Sequence, residues 1–281
     1  MKRLLLPVAL ILLGYAVAVP AQTLDRIKES GKIRIGYRSD APPFSYTNEL
    51  GEPAGYSVQL CKLLALGVKL QLDMDKVEPE YVVVTAEDRF EQVAAGNIDV
   101  LCGATTQTLA RRQLVDFSIP TFIDGASVLY RKGGPSTFDA LAGEKIGVRT
   151  GTTTEEALRG TLKDLSINAD VVSVGNHNEG LSALENQEIA AYFADQAILV
   201  FLLSGSKNPE QLILSDQHFT VEPYALALQR GDSDFRLTVD TVLSRVYRRG
   251  KIGEVFSASF GSMAKPTDLI KALYLVSPLP E

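Results

Sequence analysis

Residues 99–120, DVLCGATTQTLARRQLVDFSIP, concentrate side chains able to do chemistry. Gly103 and Ala104 are small enough to let backbone groups approach a ligand closely. Hydroxyls follow at Thr105, Thr106 and Thr108, then the guanidinium pair Arg111 and Arg112. Hydroxyls beside a planar cationic fork suit a small carboxylate. The plainer alternative is a strand and a helix cap with surface arginines, and the stretch alone leaves both open. A second anion-binding pattern is Thr150-Gly151-Thr152-Thr153-Thr154-Glu155, between an expected strand and an expected helix. Backbone N–H groups at such a turn can hold an anion. Arg89 stands in the first turn of another expected helix. A cation there opposes the helix macrodipole, so it is either solvated or held by an anion.

The elements that must position these groups alternate along the chain. Strands are expected at 32–37, 81–85, 99–103, 126–130, 145–149, 171–174, 189–194, 212–215 and 224–228. Helices are expected at 24–30, 56–69, 87–95, 157–165, 179–186, 196–204 and 234–249. The last carries Phe235, Val239, Val242, Leu243 and Val246 on one face. A loop from Arg38 to Tyr46 is stiffened by Pro42 and Pro43. Alternation of this kind implies α/β lobes with ligand sites at the carboxyl ends of strands.

Length and composition bound the function. With 281 residues, the chain can build one large or two small cores. A net charge of −6 argues against nucleic acid as a partner. Residues 1–21 open with Lys2 and Arg3, continue as an apolar run and end Val19-Pro20-Ala21. That pattern reads as a secretory signal peptide cut before Gln22, leaving no stable membrane insertion afterwards. An exported chain permits a bond between its two cysteines, Cys61 and Cys102, although two buried thiols fit the sequence equally well. No G-x-x-x-x-G-K loop, metal-ligand spacing or nucleophile elbow is present, so no cofactor or metal is expected.

Thr106, Thr108, Arg111, Phe117, Ser118 and Pro120 together fill a pattern of hydroxyls, Arg and Phe-Ser-x-Pro. In this the chain resembles the periplasmic amino-acid-binding proteins of ABC importers, the family 3 solute-binding proteins. Pro43-Phe44, the 141–148 segment LAGEKIGV and the 248–261 segment RRGKIGEVFSASFG extend the resemblance over the whole mature chain. Ser57 and Gln59 stand where the family usually has two acids. The resemblance implies a two-lobed, type II periplasmic-binding-protein-like fold with the ligand in the interlobe cleft and two hinge strands. Lobe 1 would take residues 22–130 and 222–281, and lobe 2 residues 131–221.

It also implies a ligand set. Arg111 would clamp the amino acid's α-carboxylate with the backbone N–H of Thr153, and Asp195 with Thr106 would take the α-ammonium. The alternative for Asp195 is an ordinary cap of the following helix. Arg38, Arg89 and His177 match the glutamate/aspartate-binding branch, where they would meet a side-chain carboxylate. The alternatives are a surface salt bridge from Arg38 to Asp40 and a helix-terminal hydrogen bond for His177. The branch favours a hydroxyl where this chain has Ala86. Arg112 falls outside the spacing and is expected at the surface. The implied protein is a periplasmic, monomeric carrier of L-glutamate or L-aspartate. It would close on its ligand and dock to an ABC transporter permease. The rivals are a cyclohexadienyl or arogenate dehydratase-like enzyme on the same fold, using Asp195 or Glu222, and a sensory ligand-binding module.

Overall fold

The computed structural model describes residues 23–280, so the expected signal peptide lies outside the described residues. The chain enters through α1 (Thr23–Ser30) and β1 (Lys32–Arg38). The short strands β2 (Asp40–Ala41), β3 (Ser45–Thr47) and β4 (Pro53–Ala54) make a small antiparallel sheet around the proline loop. Then come α2 (Tyr56–Gln71), β5 (Glu78–Val84), α3 (Arg89–Ala94), β6 (Val100–Cys102) and β7 (Val115–Phe117). β1 pairs in parallel with both β5 and β6, so nearly every residue along it is enclosed.

Cys61 on α2 and Cys102 at the end of β6 form a disulfide, with Cα atoms 6.4 Å apart. Clipping a loop of this length stabilises the fold by about 4 kcal/mol in the chain-entropy view. The bond resolves the two cysteine readings in favour of a bridge.

The chain crosses at β8 (Phe122–Asp124) and enters a second sheet. It continues through β9 (Ala126–Arg131), β10 (Lys145–Arg149), α4 (Thr153–Asp164), β11 (Asp170–Val174), α5 (His177–Glu185), β12 (Ala191–Asp195), α6 (Gln196–Gly205) and β13 (Leu212–Leu214). The strand order is β11-β10-β12-β9-β13. It returns along β14 (Glu222–Tyr224), which pairs antiparallel with β8 and sets Glu222 opposite Asp124. β15 (Ala227–Gln229) then slots between β6 and β7 to complete the first sheet. α7 (Ser233–Arg248), α8 (Lys251–Phe260) and α9 (Asp268–Val276) finish the chain. Tyr274 of α9 meets the Tyr56 hydroxyl at 2.9 Å, which ties the tail to the first lobe.

One boundary differs from the sequence expectation. Lobe 1 was expected to run to residue 130, but β9 hydrogen-bonds to β12 and β13 in the second sheet. The crossing is at β8, a few residues earlier. An apolar strand such as ASVLY states its burial in its sequence but not its partner.

The two crossing strands sit in an aromatic hub. The Phe44 ring lies 4.9 Å from Phe122 and 5.0 Å from Tyr224, and Phe122 stacks on Phe260 at 5.4 Å. Such edge and stacked pairs contribute beyond their buried area. Through Phe44 the proline loop after β1 is fastened to the hinge.

Candidate functional site

The carboxyl ends of both sheets face one cleft. Arg38 is the last residue of β1, and Asp195 is the last residue of β12. Arg89, Thr153 and His177 are the first residues of α3, α4 and α5. Strand ends and helix starts are where an α/β fold gathers its ligand groups.

On the first-lobe side, Arg38 is 2% exposed. Its Nε and Nη2 each donate to the Asp40 carboxylate at 2.8 Å, and its backbone N–H donates to Ser45 Oγ at 2.9 Å. The Asp40 partnership is therefore real, but it is a buried two-pronged pair instead of a surface contact. Arg89 is 1% exposed and is not solvated. It donates to the Ala86 carbonyl and, at 3.5 Å, to the Gly151 carbonyl across the cleft. Ala86 thus anchors Arg89 through its backbone, without the hydroxyl the resemblance would have supplied. Arg111 sits in a 3-10 turn, Arg111–Gln113, and donates to the Thr106 carbonyl at 2.9 Å. The guanidiniums of Arg89 and Arg111 lie 4.9 and 4.8 Å from the centroid of one ring, Phe90. Arg112 is exposed and reaches only Gln107, at 3.4 Å.

On the second-lobe side, Thr152 caps α4 by accepting from the Glu155 N–H, which leaves Thr153 at the first helical position. N–H groups in the first turn have no partner within the helix. Gly151 before it has φ +71 and passes so close to Ala86 and Glu87 that a Cβ would lie 3.1 Å from Glu87 Cγ. Only glycine fits that backbone shape and that approach together. Asn176, not His177, caps α5, so the helix-terminal reading of the histidine does not hold. His177 Nδ1 lies 2.8 Å from the Tyr192 hydroxyl, and its Nε2 is buried with no hydrogen-bond partner. Tyr192 reaches this position because Gly180 has no side chain; a Cβ there would lie 2.1 Å from the ring. Asp195 occupies the cap position of α6 without bonding to the helix. Asp124 takes that task, accepting from the Ala197 N–H at 3.3 Å. Asp195 Oδ1 is left buried and unpartnered, which excludes the ordinary-cap reading.

The lobes touch through side chains. Thr106 and Thr153 hydroxyls are 3.3 Å apart, one from each lobe. Both donate to the same oxygen of Glu222 on β14, Thr153 at 2.8 Å, and Thr220 donates to the other oxygen at 3.0 Å. Arg149, at the end of β10, spans the cleft to Asp40 at 3.1 Å and Glu87 at 2.6 Å. The sequence reading did not place Arg149 in the site. Its one local signal was its position at a strand's carboxyl end before the Gly-Thr turn.

These positions make the cleft electrically two-sided. At one end, burial pulls the Arg89 pKa far below its ordinary value, and Arg38, Arg111 and Arg149 add to the repulsion. Burial likewise lowers Arg111, although Glu222, Glu156 and Asp195 oppose it. Asp40 answers part of this charge: burial would raise it, but Arg38 first, then His177 and Arg149, hold it down at about 2. His177 is pushed down to about 3 by burial and then by Arg38, so it is a neutral donor or acceptor near pH 7. At the other end, burial and then Glu222 and Asp124 drive Asp195 well above the usual carboxylate range. Burial lifts Asp124 to about 7, with Glu222 contributing. One end carries more cations than anions, and the other more anions than cations.

Residues 33–262 match the bacterial extracellular solute-binding proteins, family 3, and the chain belongs to that family. It is 31% identical over 249 residues to an L-glutamate/L-aspartate-binding protein of Pseudomonas aeruginosa, covering 88% of this chain and 82% of that one. It is 27% identical over 255 residues to a glutamate/aspartate import solute-binding protein of Escherichia coli K12, covering 90% and 84%. The fold superposes on the solute receptor for L-cysteine of Neisseria gonorrhoeae with a TM-score of 0.75 at 27% identity, covering 86% of this chain and 97% of that one. The architecture is thus that of a type II amino-acid-binding protein, and the named relatives are binding proteins rather than enzymes. Among the described residues no helix is long and apolar enough to cross a membrane.

Proposed function

We propose that this protein captures an acidic amino acid, L-glutamate or L-aspartate, in the interlobe cleft and delivers it to an ABC importer. One observation carries the reading. Arg89 is buried and Arg111 half-buried on either side of Phe90 and, among the described residues, neither is ion-paired to a carboxylate, while Asp195 lies across the cleft with an unpartnered oxygen. A dicarboxylic amino acid supplies two anions and one cation, which matches that imbalance. Arg111 and the Thr153 N–H take the α-carboxylate as a bidentate charge-assisted pair. Asp195, with Thr106 beside it, takes the ammonium, and its raised pKa falls once a cation is bound. Arg89 takes the side-chain carboxylate. His177, fixed by Tyr192, offers Nε2–H to the same group, and Arg38 acts with Asp40 already attached.

Amide ligands leave a buried arginine unmatched and bind far more weakly. The ligand bridges both lobes and so shifts the population toward the closed form that a membrane permease recognises. The relatives' printed roles in import support that partner. The disulfide agrees with an oxidising compartment, and with it a periplasmic location for a monomeric carrier. Of the two acids a dehydratase reading could use, Glu222 is engaged by three hydroxyls, and Asp195 is the acid taken here for the ligand's ammonium.

A thermal-shift screen of the twenty amino acids, followed by calorimetry, tests the reading. Glutamate and aspartate should give the largest shifts and bind at micromolar Kd or tighter. Clear heat with lysine or leucine and none with either acid overturns it. Prephenate and arogenate incubated with the protein should be recovered unchanged.

A further inference from the structure

Arg149 is poorly explained by the ligand alone. Its side chain is 5% exposed, yet its donors are occupied by the protein. Nε reaches Asp40 at 3.1 Å, Nη1 reaches Glu87 at 2.6 Å and the Thr150 carbonyl at 3.0 Å, and Nη2 reaches Glu87 at 3.2 Å. Both carboxylates belong to the first lobe, and Arg149 belongs to the sheet of the second. The three side chains therefore close a bridge over the cleft from protein groups only. Gly151, two residues on, brings the backbones close enough for it, packing on Ala86 and Glu87. Asp40 is shared: one oxygen serves the Arg149 Nε, and the pair of oxygens grips Arg38.

We infer that Arg149 is a built-in latch between the lobes: its pairs with Asp40 and Glu87 stabilise the closed form without a ligand. Arg149 is then a positioning residue. It sets how much of the population is closed before binding, while Asp40 is held on Arg38 by two hydrogen bonds of their own. A latch of this kind raises the affinity for every ligand by the same factor, because apparent Kd is the intrinsic value divided by the competent fraction. It does not discriminate between ligands. The closed population does not rest on the proposed function, whereas the effect on affinity does.

Small-angle scattering of the ligand-free protein tests the first, comparing wild type with Arg149→Gln, Glu87→Gln and Arg149→Lys. Wild type should scatter as a mainly closed particle, and Arg149→Gln as an open one. Arg149→Lys should fall between them, because a single ammonium cannot fork to two carboxylates. Glu87→Gln alters a half-exposed side chain and should open the particle partway, supplying the test if Arg149→Gln folds poorly. About 1 M salt should move wild type toward the open form, since screening shortens to about 3 Å. Calorimetry with glutamate, aspartate and glutamine supplies the second readout. Arg149→Gln should raise each Kd by about tenfold and leave their ratios unchanged. Identical ligand-free scattering for wild type, Arg149→Gln and Glu87→Gln overturns the latch. A loss of glutamate and aspartate binding with glutamine unaffected would instead make Arg149 a ligand contact, and it overturns the latch too. If wild type bound no acidic amino acid, the proposed function would fall, while the scattering would still decide the latch.

Discussion

Two corners of the cleft carry arginines in opposite circumstances. At the Arg38–Arg149 corner, each guanidinium is ion-paired to a carboxylate of the protein itself. At the Arg89–Arg111 corner, the guanidiniums have carbonyls and a shared aromatic ring, and among the described residues no carboxylate is paired with either. Burying a charge without a counter-charge is costly. The first corner offsets that cost internally and is suited to holding shape. The second leaves it outstanding, and an anionic ligand would offset it. Arginine content alone therefore does not mark a ligand site; the state of each arginine's partners does.

Substitutions should separate the corners, and the largest effect is expected at the second. Arg111→Ala should weaken every amino acid by at least about 30-fold in calorimetry, because removing one member of a desolvated charge pair costs about 2–5 kcal/mol. Uniformly small losses would break the comparison. Arg89→Gln should act more selectively: about 10-fold or more on glutamate and aspartate, with little effect on glutamine, so the selectivity ratio collapses. Arg38→Gln should cost the acidic ligands less than Arg89→Gln, under about 10-fold, because Asp40 already neutralises much of that charge. If Arg38→Gln cost more than Arg89→Gln, the roles of the two corners would be reversed.

The smallest effect concerns pH and the acidic end. Asp124, lifted to about 7, and Asp195, also raised, hold protons in the folded protein that they release when unfolded. The folded state binds more protons, so stability from these groups is greatest at low pH and falls as pH climbs from about 4 through about 7. Asp40 and Glu87 are lowered and act oppositely, losing their contribution only as pH falls below about 4. His177, lowered to about 3, adds stability that grows as pH rises toward its unfolded value of about 6.5 and offsets the decline below it. The melting temperature of the ligand-free protein should therefore fall by a few degrees mainly between about pH 6.5 and pH 8. Asp124→Asn should flatten that slope. A melting temperature that rises over this range would count against an uncompensated acidic end.

What could be read early were features whose partners lie close in sequence. The hydroxyls and Arg111 share one short stretch, and Thr106 accepts from Arg111 five residues away. Arg38 and Asp40 are two residues apart, so their pairing is legible in the sequence whereas its burial is not. The Gly-Thr turn announced a helix start, and α4 begins there. Arg149 escaped notice because its partners lie 109 and 62 residues away, in the other lobe. The placement of β9 was missed for the same reason: its neighbours are set by pairing across the sheet.

By itself, the sequence determined the α/β alternation, because periodicity is written along the chain, and its resemblance to a known family implied which residue types meet at the cleft. The tertiary structure decided how those charges are shared. Asp124 rather than Asp195 caps α6, Cys61 and Cys102 are bonded, and Arg149 reaches across to occupy Asp40 and Glu87. The physical reason is that a charge is matched or unmatched according to its distance in space and its access to water, and only folding fixes either.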